Sequence, residues 1–263
     1  MEREIRRKQV TRSSAMTDPS KVMLLTGASG GLGLELSRLM LAAGRRDIAF
    51  HYRSKDKPLR ELLMQHGLDP GRHLVQADLT DERAVVALRQ QVEARLGPVS
   101  TLVNLAGSSS NGVSWKLGAA DFQAVVDANL LSTFLACREF IPGMRNAGFG
   151  RIVNVASITA AIGAFGASHY GAAKAGVLGL TRSLALELAS KGITVNALAL
   201  GYFDRGLIDT VPLPVQEQIK ARIPLGRFGT AAEILVALDF LTAPGNGYMT
   251  GQVLHLNGGL HFG

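Results

Sequence analysis

Short apolar runs alternate with stretches of helical periodicity from Val22 to Leu256, and this alternation constrains the fold more than any other feature of the chain. Val22 to Leu25 is apolar throughout and ends in Thr26-Gly27, as expected of a strand buried on both faces. Leu32 to Ala43 follows with helical spacing and stops at Gly44. Further strands are expected at Ile48 to Tyr52, His73 to Ala77, Thr101 to Leu105, Arg151 to Ala156, Ile193 to Leu198 and Gln252 to Leu256. Helices are expected at Pro58 to His66, Asp81 to Leu96, Asp121 to Arg145, Ser168 to Ser190 and Ala231 to Leu241. Thr80 is the expected N-cap of the helix at Asp81, Gly97-Pro98 its end, and Pro142 a kink in the helix that holds it. Strand–helix alternation builds a parallel sheet, with right-handed crossovers placing helices on both faces. The expected fold class is therefore α/β: one Rossmann-type doubly wound parallel sheet of about seven strands, binding ligands beyond the carboxyl ends of its strands.

Composition removes other classes. With 47% hydrophobic and 19% charged residues the chain can bury a large core, and its 30 glycines follow no Gly-X-Y repeat. The 263 residues read as a flexible basic and polar tail, 1–20, followed by one domain, 21–263. The tail lacks an apolar segment of the secretory kind, and Met16 offers a second candidate start. No stretch has the length of a membrane span, so no membrane partner is expected. Of the net charge of +7, residues 1–12 carry +3 (five cations against two carboxylates), and the rest is spread out. No basic-aromatic cluster marks a nucleic-acid site, and no metal site is expected. The single cysteine, Cys137, cannot form an intrachain disulfide and fits a reducing, cytoplasmic setting.

The first strand leads through Thr26-Gly27-Ala28-Ser29-Gly30-Gly31-Leu32-Gly33 into a helix. Glycines there permit a tight turn and a close approach of backbone to a pyrophosphate, and the helix start offers free N–H groups. A strand before and a helix after are the context such a dinucleotide-binding turn requires. Asp78-Leu79 at the third strand end can accept from an adenine amino group. Asn104-Leu105-Ala106-Gly107 at the fourth supplies small residues that leave room for a cofactor. After the second strand comes His51-Tyr52-Arg53-Ser54-Lys55, with no carboxylate before Asp56. A guanidinium at Arg53 suits a 2′-phosphate, so NADPH is the expected cofactor.

Tyr170 and Lys174 lie four apart on one helix and share a face, thirteen residues beyond Ser157 at the end of the fifth strand. A cation beside a phenol favours phenolate, lowering its pKa from about 10. A tyrosine so placed serves as an acid or base, and a serine hydroxyl nearby can hold a carbonyl oxygen.

Thr26-Gly-x-x-x-Gly31-x-Gly33, Asn104-x-Ala-Gly107, Asn129, Ser157 and Tyr170-x-x-x-Lys174 together resemble the short-chain dehydrogenases/reductases, over about residues 21–260. Tyr170-Gly-Ala-Ala-Lys-Ala-Gly176, Leu186 to Asn196 and Thr250 to Gly259 are most similar to the β-ketoacyl-acyl-carrier-protein reductase branch. The resemblance implies that Tyr170 donates a proton to the substrate oxygen and Ser157 orients the ketone. It implies that Lys174 tunes Tyr170 and binds the nicotinamide ribose, and that Asn129 anchors a water on the proton path. It assigns cofactor contacts to Thr26, Gly27, Ser29, Gly31, Leu32, Gly33, Arg53, Ser54, Asp78, Leu79, Asn104, Ala106, Gly107, Tyr170, Lys174, Gly201 and Phe203.

The implied activity is NADPH-dependent reduction of a 3-oxoacyl thioester carried by acyl carrier protein or coenzyme A, in fatty-acid-type or related biosynthesis. Two alternatives stand beside it: reduction of another carbonyl, such as a sugar, steroid or small ketone, and a non-catalytic cofactor-binding subunit. The intact Asn129, Ser157, Tyr170, Lys174 set argues against the second. The resemblance also implies a homotetramer built on the helices at 121–145 and 168–190, both rich in Ala and Leu around their circumference. Two departures from the site pattern fall in one region. Leu200-Gly201 stands where the family has Pro-Gly, and Arg205 where it has threonine, at the head of a substrate lid expected over 202–224. Of two basic carrier-docking positions in the resembled reductase, one is Gly148 here, with Arg145 and Arg151 nearby; the other, Lys191, is retained.

Overall fold

The computed structural model describes residues 22–263, so the tail expected at 1–20 lies outside the described residues. The elements in chain order are β1 (Val22–Leu25), α1 (Gly31–Ala42), β2 (Ile48–Tyr52), α2 (Lys57–Gln65), α3 (Pro70–His73), β3 (Leu74–Gln76), α4 (Glu82–Leu96) and β4 (Val99–Asn104). There follow α5 (Ala119–Val126), α6 (Ser132–Ala147), β5 (Gly150–Ser157), α7 (Thr159–Ile162), α8 (Ser168–Leu188), β6 (Ile193–Leu200), α9 (Leu213–Arg222), α10 (Ala231–Thr242) and β7 (Val253–Leu256). Seven parallel strands form one sheet in the order β3-β2-β1-β4-β5-β6-β7. The order reverses between β1 and β4, the switch point at which such sheets open a crevice.

Alternate side chains of each strand face opposite layers, as the pleat demands. Met23, Leu25, Ile48, Phe50, Val153 and Leu198 pack against α1, α2 and α10. Val22, Leu24, Ala49, Leu102, Ile152 and Val195 pack against α4, α6 and α8. A chain buried on both faces cannot alternate apolar with polar, which is why the strands read as continuous apolar runs.

Three local expectations are corrected. Asp81, not Thr80, caps α4: its carboxylate accepts from the N–H groups of Arg83 (2.8 Å) and Ala84 (3.4 Å). The Thr80 hydroxyl is engaged elsewhere, donating to Asp78 at 2.7 Å. The helix foreseen at 121–145 is two helices joined by a π-helical turn, Asp127–Leu131, while α6 runs through Pro142 without a break. Leu200, free of a proline's constraints, pairs with Ser157 and Leu256 and extends β6 to residue 200.

Candidate active site

The adenosine side of the crevice is assembled by backbone. Thr26 is fully buried; its hydroxyl accepts from the N–H groups of Leu105 and Ala106, each at 3.0 Å, and so fixes the end of β4 against β1. A Cβ at Gly27 would stand 2.7 Å from the Ala106 Cα, and one at Gly33 would overlap the Gly27 carbonyl oxygen. Both positions therefore exclude any side chain. Gly30 precedes α1 and has no side chain to cap it, so the N–H groups of Gly31, Leu32 and Gly33 start the helix without a side-chain acceptor. Ser29 lies half-buried beside them.

Arg53 and Ser54 are exposed just beyond β2. Asp78 is exposed at the end of β3; hydrogen bonds from Thr80, with the neighbouring Arg53 charge, hold its carboxyl below the usual range. Leu79 is buried beside it. Asn104 has its side chain turned inward, donating to Asn154 at 2.9 Å and to the Cys137 sulfur at 3.3 Å, while Asn154 donates to Thr181 at 3.0 Å. What Asn104 offers the crevice is backbone. Burial pushes the Cys137 thiol up to about 12, so it is inert.

The reactive side lies at the ends of β4 and β5. Ser157 ends β5, and Lys174 reaches from α8 to the Val155 carbonyl at 2.8 Å. Lys174 is 3% exposed and has no carboxylate beside it, so burial pushes its pKa down to about 8. Tyr170 stands one helical turn earlier, its ring centroid 5.8 Å from the Lys174 Nζ. Burial pushes the phenol up, and the hydrogen bond with Ser157 pulls it back. Desolvation is the larger of the two, so the phenol stands above its ordinary value.

Asn129 sits in the π turn, where one extra residue widens the helix and frees carbonyls. The Ser132 and Thr133 hydroxyls donate to the Ala128 and Asn129 carbonyls at 2.9 and 2.7 Å, satisfying that widened turn. The Asn129 amide donates to Val125 O (2.8 Å) and Ser108 O (2.7 Å). Its Oδ1 is buried with no partner. A Cβ at Gly107 would overlap that oxygen and lie 3.4 Å from Lys174 Nζ, so Gly107 lets Asn129 and Lys174 approach one point. A buried carbonyl oxygen without a donor is a place for a water.

At the far rim, Gly201 packs against Asn257, whose Cα would stand 2.7 Å from a Cβ there. Phe203 bridges Gly229 through bonds at Tyr202 O and Asp204 N, which leaves its own N–H and carbonyl facing away from Gly229. The segment 202–224 holds a 3-10 turn, Leu207–Thr210, and α9. A Cβ at Gly31 would meet Gly206 N at 3.0 Å, so this segment closes directly over the start of α1. Arg205 is exposed on it.

Two residues were not foreseen as part of the site. His51 accepts from Gly27 N–H in the phosphate turn at 3.1 Å, and His169, buried beside Tyr170, shares a 3.0 Å hydrogen bond with Ser110. A histidine at the end of an apolar strand, or beside a motif tyrosine, carries no signal of such a role. The expected docking cations are also displaced. Arg151 is buried, donating to the carbonyls of Gly150 (2.8 Å) and Pro244 (2.9 Å), with its guanidinium over the Phe149 ring at 4.3 Å. Arg145 precedes β5 and Lys191 precedes β6, at the amino ends of strands whose carboxyl ends carry the site. Eight residues of β5 separate those ends by roughly 23 Å, so neither cation borders this chain's own crevice.

The order of these features along the chain, and their meeting at one edge of a parallel sheet, define an oxidoreductase of the short-chain dehydrogenase/reductase class. A family model described as enoyl-(acyl carrier protein) reductase matches residues 27–261, and the chain belongs to the short-chain dehydrogenase/reductase family. Among named proteins it is similar to an acetoacetyl-CoA reductase of Rhizobium meliloti (strain 1021), with 38% identity over 244 residues, covering 92% of this chain and 99% of that one. It is 36% identical over 242 residues to the nodulation protein G of Azospirillum brasilense, covering 92% and 98%. It is 35% identical over 245 residues to the 3-oxoacyl-(acyl-carrier-protein) reductase FabG of Staphylococcus aureus (strain Mu50 / ATCC 700699), again covering 92% and 98%.

Proposed function

We propose that the chain is an NADPH-dependent reductase of 3-oxoacyl thioesters borne by acyl carrier protein, in fatty-acid-type or related biosynthesis. The observation that carries this reading is the convergence of Ser157, Tyr170, Lys174 and the unpartnered Asn129 Oδ1 beside Gly107, at the mouth of a glycine-lined crevice. The crevice fits a nicotinamide dinucleotide on its own geometry: an uncapped helix start for the phosphates, Asp78 for the adenine side and the outward backbone of Phe203 for the carboxamide. Bound there, the cofactor supplies a hydride.

The residues do the rest. Ser157 holds the ketone oxygen, and Tyr170, whose phenol Ser157 draws toward its charged form, gives that oxygen a proton. Lys174, poised near pH 8 between its two forms, hands a proton to Tyr170. A water on Asn129 Oδ1 connects that lysine to solvent. Arg53, exposed beside Asp78 with no carboxylate closer on its own loop, takes the 2′-phosphate. The segment 202–224 acts as the substrate lid. Coenzyme A as the carrier is a second reading, supported by the acetoacetyl-CoA reductase among the relatives and by the distance of Arg145 and Lys191 from this chain's site. Among the described residues no helix is long and apolar enough to cross a membrane. A homotetramer through α6 and α8 is supported by exposed apolar side chains on them, Phe134 and Leu186. A cytoplasmic setting is supported by the free, buried Cys137.

The deciding experiment follows NADPH oxidation with a panel of 3-oxoacyl chains on acyl carrier protein and on coenzyme A. Preference for carrier-protein substrates is expected. Turnover restricted to sugars, steroids or simple ketones would replace the reading, and no turnover of any carbonyl would leave a cofactor-binding subunit.

A further inference from the structure

We propose that His51 is a positioning residue of the cofactor crevice, whose imidazole holds the phosphate turn after β1 in register with the end of β3. This inference rests on the nicotinamide reading given above. His51 is 3% exposed at the end of β2, between the two strands whose ends it joins. Its Nδ1 accepts from the Gly27 N–H at 3.1 Å, and its Nε2 lies 3.1 Å from the Ala77 carbonyl. Its backbone carbonyl accepts from Ala28 N–H at 2.9 Å. One residue thus touches the turn that would hold the phosphates and the residue just before Asp78 on the adenine side.

The partners dictate the tautomer. A peptide N–H only donates, so Nδ1 presents its lone pair to Gly27; a carbonyl only accepts, so Nε2 carries the hydrogen for Ala77. Neutral imidazole with the proton on Nε2 satisfies both at once. Burial favours that neutral form, pushing the pKa down to about 4. Gly27 has a positive φ of 68° and no side chain of its own to lock the turn. The acceptor on its N–H therefore decides whether the peptide keeps the orientation the cofactor meets. Removing that acceptor leaves a part-buried N–H unpaired.

Two substitutions separate the contacts. His51→Gln retains a donor near the Nε2 position and loses the Nδ1 acceptor. His51→Asn retains an acceptor near Nδ1 and loses the link to Ala77. The full-length proteins are titrated with NADPH by fluorescence, assayed for KM and kcat, and melted. The ring nitrogens of the cofactor-free wild type are read by ¹⁵N NMR at pH 7. The expected results are a proton on Nε2 alone, a Kd for NADPH about tenfold weaker in His51→Gln, and partial rescue in His51→Asn. The loss in His51→Gln should appear in Kd and KM far more than in kcat at saturating NADPH. A role confined to packing would lower the melting temperature of both variants and leave Kd unmoved. The proposal is overturned by a proton on Nδ1, or by His51→Gln binding NADPH as tightly as a wild type that binds it. A wild type that binds neither NADPH nor NADH overturns the cofactor reading itself and this inference with it.

Discussion

The two sides of the crevice are built differently. On the adenosine side, the ends of β1, β2, β3 and β4 are tied by hydrogen bonds through Thr26 and His51, and Gly27 and Gly33 sit against backbone with no space for a Cβ. On the other side, the segment 202–224, proposed as the substrate lid, rests on a small buried cluster of Ile208, Ile223 and Phe228, and carries exposed apolar side chains at Leu207 and Leu213. Its turn at Gly206 is held locally, by a hydrogen bond to Asp209 at 2.9 Å. On the function proposed above, cofactor affinity belongs to the tightly tied side, and substrate choice to a segment with few long-range ties. Both departures from the family pattern, Leu200 and Arg205, fall at the second side or its border, where sequence can change without breaking the frame.

The sharpest cut between chemistry and frame is Tyr170→Phe. It removes the proton donor but no packing, so kcat should fall by about 10²–10⁴ while the Kd for NADPH holds. Half of wild-type turnover in that variant would end the assignment. A pair of glycine substitutions then compares the frame with the turn that follows the lid segment. Gly33→Ala forces a Cβ onto the Gly27 carbonyl and should lose about 3 kcal/mol in urea denaturation, together with NADPH binding. Gly226→Ala has a positive φ of 66° but open space around it, and should lose only about 1 kcal/mol with binding kept. Equal losses would erase the distinction between the two regions.

Acid probes the frame through His51. Its folded pKa of about 4 lies below the ordinary 6.5, so between those values the unfolded chain binds the extra proton. Stability attributable to His51 is complete above pH 6.5 and declines as pH falls toward 4, by up to about 3 kcal/mol. His255, lowered by burial and by the neighbouring His261, acts in the same sense. His51→Gln should flatten this slope; an unchanged slope would place the acid sensitivity elsewhere. The smallest expected effect is Arg53→Ala, raising KM for NADPH about tenfold and leaving NADH unaffected. Equal wild-type efficiency with both cofactors would remove Arg53 from the 2′-phosphate.

Much of this arrangement is legible because strict steric demands leave literal marks. Gly27 and Gly33 have no alternative residue, and the strands must be apolar on both faces, so turn and sheet are both written in residue type. Short elements leave weaker marks. The four-residue helices α3 and α7 are too brief to show a period, and α3 is set by Asp69 accepting from Gly71 N–H. Thr80 and Asp81 are both good caps, and only the Asp78 carboxylate, by engaging the Thr80 hydroxyl, decides between them. The inward turn of Asn104 and the burial of Arg151 depend on partners distant in sequence, Asn154 and Pro244. His51 is invisible for the same reason: Gly27 and Ala77 lie more than twenty positions away on either side.

The π turn at Asp127–Leu131 makes α5 and α6 a helix with two phases. Counted against a regular α-helix, it holds one residue too many, and each residue of a regular helix advances by about 100°. The identity of Asn129 is therefore only half of its placement; the other half is a surplus that belongs to no single side chain. Deleting one residue of the turn after Asn129, such as Leu130, would let the two helices fuse into one continuous spiral. Every core side chain of α6 could stay in place while the residues before the deletion rotated by a full helical step. Asn129 would then leave Gly107 with its chemistry intact and its address lost. A chain altered in this way would keep every residue of its motif in order and still lack the unpartnered oxygen beside Gly107.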